Sequence, residues 1–268
     1  MYFLLYMYHK QTAVRITASR QTASRQTAGR RPRQKRQGTR RQFYTHQSPE
    51  QAREQAREHA FVQELQQLYP QCVPDDNKDT LVNKYEGHRI TYGEMNYDGL
   101  ENLFQHLLTI DNSAFDDSFL FNPRCFIDVG SGRGKLCLYM ASKQTVDQVL
   151  GIELVEPRHQ DAEQLKSDLS HHSFTRKARF INSSIFDISL RSLVRTSPVF
   201  VWFSNLCFDQ NITDDIYQKL VDELPVGSII CSSKVPDIEL PNCLSKGSIE
   251  IDMSWKSGSN VNIFQIIK

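Results

Sequence analysis

F-I-D-V-G-S-G-R-G-K, Phe126 to Lys135, is the stretch on which the reading of this chain turns. Residues of strand character, Phe126 to Val129, run straight into Gly130, Gly132 and Gly134, and a helix is expected to start near Lys135. Glycines let the backbone turn sharply and let a ligand come up against the main chain. The carboxyl edge of a strand, where this loop falls, is where α/β sheets bind ligands. The spacing G-x-G-x-G differs from the G-x-G-x-x-G of dinucleotide enzymes and is the form usual in methyltransferases. A purely structural turn is the alternative.

Working outward, Glu153 ends the next apolar segment, where an acid can accept hydrogen bonds from both hydroxyls of a ribose. Its bland reading is an ordinary strand-end carboxylate. Strand, glycine loop, helix, strand and acid in this order point to a nucleoside cofactor, with Asp128 facing the amino group of a methionine moiety. Short apolar runs continue beyond. Strands are expected at 125–129, 148–153, 178–182, 198–203 and 227–233, with helices at 134–142, 157–171 and 210–224. Such alternation implies a parallel sheet covered on both faces. I-E-I-D-M-S-W and N-I-F-Q-I-I-K, separated by K-S-G-S-N, read as a closing hairpin, so the last strand is expected antiparallel.

Ahead of the glycine loop, Ser48 and Gln51 surround Pro49 as a capping box opening a helix. Ala60, Phe61, Leu65 and Leu68 give that helix an apolar stripe, and Pro70 ends it. A second helix, after I-T-Y-G-E-M at 90–95, carries Leu100, Leu103, Phe104, Leu107 and Leu108 at helical spacing.

The formal net charge of +1 hides a segregation. Eleven of the 32 basic residues and none of the 31 acidic ones precede residue 50, which leaves 21 bases against 31 acids, a net −10, in the remainder. The arm repeats T-A-S-R-Q at 17–21 and 22–26 and holds few large apolar residues after Tyr8, so it is expected to be disordered when free. A basic arm is drawn to a polyanion by phosphate contacts and counterion release, which makes nucleic acid its natural partner. A solvated tail and a mitochondrial targeting sequence are the alternatives. The expected divisions are thus 1–47, a disordered basic arm; 48–110, a helical region with a covering loop; and 111–268, the cofactor-binding domain.

No apolar run approaches the ~20 residues of a membrane span, and the first eight residues lack the flanks of a secretory signal. Neither a membrane nor secretion is expected. The six cysteines show no C-x-x-C pair and read as free thiols in a reducing compartment. His171 and His172 are adjacent, but neighbours in a helix point about 100° apart, so no metal is expected.

The second chemical constellation is F-S-N-L-C-F-D, which puts Asn205 and Phe208 at the carboxyl end of the fourth strand. An amide carbonyl there can orient an amine for attack, and an aromatic ring can wall the approach. A capping Asn before the helix at 210 is the alternative.

Together these residues resemble the disruptor of telomeric silencing (Dot-one) family of non-SET histone H3 lysine methyltransferases, over roughly 85–268. Y-G-E at 92–94 looks like its loop over the cofactor, D-V-G-S-G-R-G-K its glycine loop and G-I-E at 151–153 its ribose acid. W-F-S-N-L-C-F-D looks like its strand with a functional Asn, followed by S-S-K at 232–234 and the hairpin S-W-K-S-G-S-N-V-N-I-F. The compact length and basic arm are similar to the short protozoan members.

The resemblance implies a class I, Rossmann-like methyltransferase fold, a mostly parallel seven-stranded sheet with an antiparallel terminal hairpin. S-adenosyl-L-methionine is the implied cofactor. Tyr92 and Glu94 would contact its methionine end, with Asp128, Gly130, Ser131, Gly132, Gly134 and Lys135 holding it from the loop. Glu153 would bind ribose and Phe186 would pack on adenine. Asn205 would lie beside the target amine, with Trp255 and Phe264 lining the lysine channel. The implied substrate is a lysine on the globular face of histone H3 in the nucleosome, and the implied location the nucleus.

Three positions depart from the family pattern. Lys135 stands where Gln is frequent, Ile185 where an acid would reach the adenine amino group, with Asp187 as a substitute, and Phe264 where Tyr is common. The missing Phe264 hydroxyl is expected to alter how many methyl groups are added. N-L-C-F also has the outer residues of the N-P-P-Y signature of amino-methyltransferases acting on adenine or glutamine, without its prolines. A chromatin-binding module that holds cofactor without turnover is a rival from another class.

Overall fold

The computed structural model describes residues 48–69, 94–109, 123–194, 197–254 and 256–267. The expectations for the arm, for Tyr92 and for Trp255 lie outside the described residues.

Two helices precede the sheet, α1 (Pro49–Leu68) and α2 (Tyr97–Thr109). Ser48 caps α1 as expected: its hydroxyl accepts from the Gln51 N–H at 3.2 Å, and the Gln51 side chain accepts from the Ser48 N–H at 2.9 Å. The apolar stripes are narrower than their spacing suggests. Phe61 and Leu65 are fully buried, but Ala60 and Leu68 are exposed. In α2, Leu100, Leu103, Phe104 and Leu107 are buried and Leu108 is exposed. Two fully buried large side chains contribute about 3 to 6 kcal/mol to docking α1, a thin margin for a twenty-residue helix.

From Cys125 the chain alternates as expected: β1 (Cys125–Val129), α3 (Lys135–Ser142), β2 (Gln148–Glu153), α4 (Glu156–Asp168) and β3 (Ala178–Asn182). A short helix α5 (Leu190–Leu193) leads to β4 (Val199–Phe203), α6 (Gln210–Glu223) and β5 (Ile229–Ser232), and the hairpin β6 (Cys243–Met253) and β7 (Lys256–Ile266) closes the fold. The sheet has seven strands in the order β3-β2-β1-β4-β5-β7-β6. β1 to β5 pair in parallel, while β7 runs antiparallel to β5 and β6 antiparallel to β7. The hairpin enters in the order β7 then β6, so the final strand wedges between β5 and its own partner.

β1 and β4 are buried at every position, which is why β4 reads as an unbroken apolar run and β1 as one broken only by Asp128. Their side chains alternate between two cores. Phe126, Val149, Phe200 and Trp202 face one side with Phe61, Leu65, Leu103 and Ala162 of α1, α2 and α4. Ile127, Leu150, Val201 and Phe203 face the other with Ile216, Tyr217 and Leu220 of α6. α4 ends at Asp168, three residues short of the expected end, and His171 and His172 therefore sit in the turn that follows. The premise that they diverge as helical neighbours does not hold: their rings lie 4.2 Å apart between centroids.

Among the described residues five cysteines are free, with Cys125, Cys137 and Cys231 buried and Cys207 and Cys243 half-buried. No described helix is long and apolar enough to cross a membrane.

Candidate active site

Strand order reverses between β1 and β4, because β2 and β3 lie on one side of β1 and β4 and β5 on the other. The crevice outside the carboxyl ends of β1 and β4 is where this class of sheet receives ligands. The loop after β1 opens into it. Gly130, Gly132 and Gly134 all have positive φ, at 81°, 54° and 78°. The Gly130 and Ser131 amides donate to the Ile152 carbonyl at 2.8 and 3.0 Å, which pins the loop to the end of β2. A Cβ on Gly134 would lie 2.5 Å from Phe180 and 2.8 Å from Ala162, so this glycine is required by packing. Gly130 differs, since among the described residues its Cβ would meet only the Phe208 ring, at 3.8 Å.

Glu153 is 5% exposed at the end of β2. Its Oε2 accepts from the Gly132 amide at 2.7 Å and its Oε1 from the Val155 amide at 2.8 Å. Each carboxylate oxygen can accept further bonds, so this acid braces the loop and still offers acceptors to a diol. The Ser131 hydroxyl is buried beside Gly151 without a hydrogen-bond partner among the described residues. Asp128, on β1, is 3% exposed, and the Cys137 thiol donates to its Oδ2 at 3.8 Å. Burial, reinforced by the nearby charge of Glu153, raises its carboxyl to about 8.

Phe186 belongs to a 3-10 turn, Ile185–Asp187, that follows β3. Its amide donates to the Ser184 hydroxyl at 3.3 Å, and the residue is 44% exposed, among the large apolar side chains offered to solvent. Ile185, at the position that departs from the family, is buried, and Asp187 is exposed.

Glu94 and Lys135 form an ion pair the sequence did not announce. Lys135 Nζ lies 2.7 Å from Glu94 Oε2, with the two side chains 5% and 9% exposed. The Tyr69 hydroxyl donates to Glu94 Oε1 at 2.8 Å. The Glu94 amide donates to the Ser254 hydroxyl, and its carbonyl accepts from the Ser254 amide. Lys135 opens α3, so one residue joins the end of α1 and the glycine-loop helix through its carboxylate and the terminal hairpin through its backbone.

Asn205, two residues past β4, is fully buried. Its Oδ1 accepts from the Lys234 amide at 2.7 Å while its Nδ2 donates to the Lys234 carbonyl at 3.1 Å. It does not cap α6, a position held by Asp209. Its amide fixes the chain after β5 at the same sheet edge, and its carbonyl oxygen retains a second lone pair. The Phe208 ring packs edge-on against Phe203 at 5.4 Å. Phe264 lies deeper, opposite Ile230 in β5, half-buried and edge-on to Tyr217 at 5.5 Å. The strand-edge position of β7 opposite Ser232 is instead Asn262, which donates to the Ser232 and Ser233 carbonyls. Asp128, the glycine loop, Glu153 and Asn205 are thus gathered at one edge, whereas Phe264 sits within the wall under α6.

A family model for the histone methylation protein DOT1 matches residues 69–240. The chain belongs to the DOT1 family. DOT1 proteins transfer a methyl group from S-adenosyl-L-methionine, and this chain is accordingly a methyltransferase with that cofactor. The residues present fit it: open space over Gly130, an unpartnered Ser131 hydroxyl, the Glu153 carboxylate and an exposed aromatic ring at Phe186.

Solved structures similar to this DOT1 chain include an RNA methyltransferase from Salinibacter ruber in complex with S-adenosyl-L-homocysteine, 13% identical, covering 65% of this chain and 94% of its own, with a TM-score of 0.43. A putative methyltransferase, yhhF, from Escherichia coli is 16% identical over 67% of this chain and 90% of its own, with a TM-score of 0.46. A putative O-methyltransferase from Klebsiella pneumoniae is 12% identical over 81% of this chain and 100% of its own, with a TM-score of 0.44. A search of curated protein sequences found no match.

Proposed function

We propose that this DOT1-family chain methylates a lysine on the globular surface of histone H3 within the nucleosome, in the nucleus. The observation that carries this reading is the seating of Asn205 at the same sheet edge as Asp128, Gly130 and Glu153, with its amide holding Lys234.

When bound, the cofactor supplies a methyl group activated on a sulfonium. The chain's own residues bind, orient and desolvate. Glu153 accepts from the ribose hydroxyls, Phe186 packs on adenine, and Asp128, Glu94 and Lys135 receive the charged methionine end. A lysine amine with an ordinary pKa near about 10.4 is mostly protonated at neutral pH, and only its free lone pair attacks. An apolar approach disfavours the ammonium form. Phe208 walls that approach, and Leu206 and Val235, both exposed after β4 and β5, supply apolar surface for the lysine stem. The second lone pair of Asn205 Oδ1 orients the amine, so alignment and desolvation carry the rate. Trp255 remains the proposed lining of the channel, with Phe264 closing the wall beneath the strand edge. The basic arm, residues 1–47, holds nucleosomal DNA through phosphate contacts, and no metal takes part in the transfer.

Radiolabelled cofactor incubated with nucleosomes, free histones, DNA and RNA tests the assignment. Label in H3 of nucleosomes supports it. Label in nucleic acid alone favours the amino-methyltransferase reading, and nucleosome binding without label favours a non-catalytic module.

A further inference from the structure

The two histidines dismissed as helical neighbours converge on a third residue from another element. His171 Nε2 and His172 Nε2 lie 3.1 and 2.9 Å from the same oxygen, Glu64 Oε2, and the three candidate ligand atoms all fall within 4.8 Å of one another. Glu64 comes from α1, while the histidines come from the turn after α4, 107 and 108 residues later. We propose that Glu64, His171 and His172 form a structural site for a divalent metal ion of the zinc class, which ties α1 to the turn following α4.

The donor set suits such an ion. Two borderline imidazoles and one carboxylate oxygen are ligands that zinc accepts, and they leave a fourth, tetrahedral position for water. Bonds of about 2.0 to 2.1 Å to a tetrahedral ion separate its ligand atoms by about 3.3 Å, slightly wider than the two histidine-to-Glu64 separations of 3.1 and 2.9 Å. The imidazole lone pairs then point at the ion with each ring proton on Nδ1. A carboxylate oxygen accepting two ring N–H groups is the competing arrangement, and it needs the opposite tautomer.

The ligands are also held in place. The His172 ring stands edge-on to the fully buried Phe61 at 5.1 Å, and Phe61 in turn packs on Phe174 at 5.5 Å. The His172 carbonyl accepts from the Thr175 hydroxyl at 2.9 Å, and its amide donates to the Leu169 carbonyl at 2.9 Å. Glu64 is fixed by its place on α1 between Phe61 and Leu65. The His171 side chain is 59% exposed, so an ion can enter from solvent without unfolding anything. A clamp at this point matters because α1 buries few large apolar side chains, and because Tyr69, at its end, donates to Glu94 beside the glycine-loop helix.

Cobalt(II) titrated into the full-length, metal-stripped protein tests the site by its visible spectrum, with thermal unfolding as a second readout. The site predicts one equivalent bound, a tetrahedral nitrogen and oxygen spectrum without a thiolate charge-transfer band, and a raised Tm. His171→Ala, whose side chain is mostly in solvent, and Glu64→Gln should each weaken binding by about a hundredfold and abolish the Tm rise while leaving the unligated fold intact. No binding by the parent, a thiolate band, or equal affinity in His171→Ala would overturn the proposal.

Discussion

Lys135 Nζ and Glu94 Oε2 lie 2.7 Å apart in a nearly dry site, joining residues 41 positions apart at the mouth of the cofactor crevice. Removing one member of such a pair leaves the other desolvated and uncompensated, at a cost of about 3 to 5 kcal/mol. Lys135→Ala is therefore expected to lower the free energy of urea unfolding by that amount, while Lys135→Gln, which keeps a donor for Glu94, loses less. The double variant Lys135→Met with Glu94→Gln should recover most of the loss. A loss in the double variant equal to the sum of the losses of its two single variants would show that the two residues are not energetically coupled.

The Asp128 carboxyl gives a pH signature. Burial raises it to about 8, from an ordinary value of 3.8. Between those values the folded state holds a proton that the unfolded chain has released, so the group's contribution to stability is full below about pH 4 and is lost as pH rises through about 8. Asp128→Asn should flatten the decline in stability of the ligand-free protein across that window. Cofactor binding, by placing an ammonium against this carboxyl, is expected to release a proton near neutral pH. Calorimetry in two buffers of different ionisation enthalpy measures that release, and a buffer-independent binding enthalpy would count against the contact.

Gly130 and Gly134 share a positive φ but should respond differently to alanine. Gly134→Ala adds a clash with Phe180 and Ala162 to the backbone strain, and a stability loss of about 2 kcal/mol or more is expected from thermal melts. Gly130→Ala has room, so about 1 kcal/mol of strain is expected. Its larger effect should be on cofactor affinity, because the added methyl occupies the face the ligand approaches. Wild-type affinity in Gly130→Ala would place the cofactor elsewhere.

The arm is expected to act through charge alone. Deleting residues 1–41 removes eleven cations and no acid, so the dependence of nucleosome affinity on salt should flatten while turnover at saturation is retained. An unchanged slope of log affinity against log salt would assign DNA binding to another surface.

Much of the sheet was legible because β1, β2 and β4 are buried on both faces and read as apolar runs ending in glycine, Glu153 or polar residues. Loop and acid were legible together because they are local to one βαβ unit. What lies across the chain was not. No residue type announces that Asn205 clasps Lys234, 29 positions away, or that Glu64 meets two histidines. The end of α4 was missed because Leu169 continues the apolar pattern past Asp168 although the backbone leaves the helix there. β6 pairs with β7 through two register shifts, between Ser245 and Ser248 and between Ile251 and Met253. Neither shift is visible in the sequence, nor is the pairing that sets Phe264 opposite Ile230, below the strand edge at Ser232. The stripe on α1 gave its direction but not its width, since period alone does not say whether a neighbour covers Leu68.

Mass spectrometry of histones from reconstituted nucleosomes, after incubation with the full-length protein and S-adenosyl-L-methionine, bears most directly on what this chain does. The expected result is a methylated lysine on the globular surface of H3, present with the parent and strongly reduced with Asn205→Ala. Methyl groups found only on nucleic acid, only on other proteins, or on no component while the cofactor still binds would contradict the account.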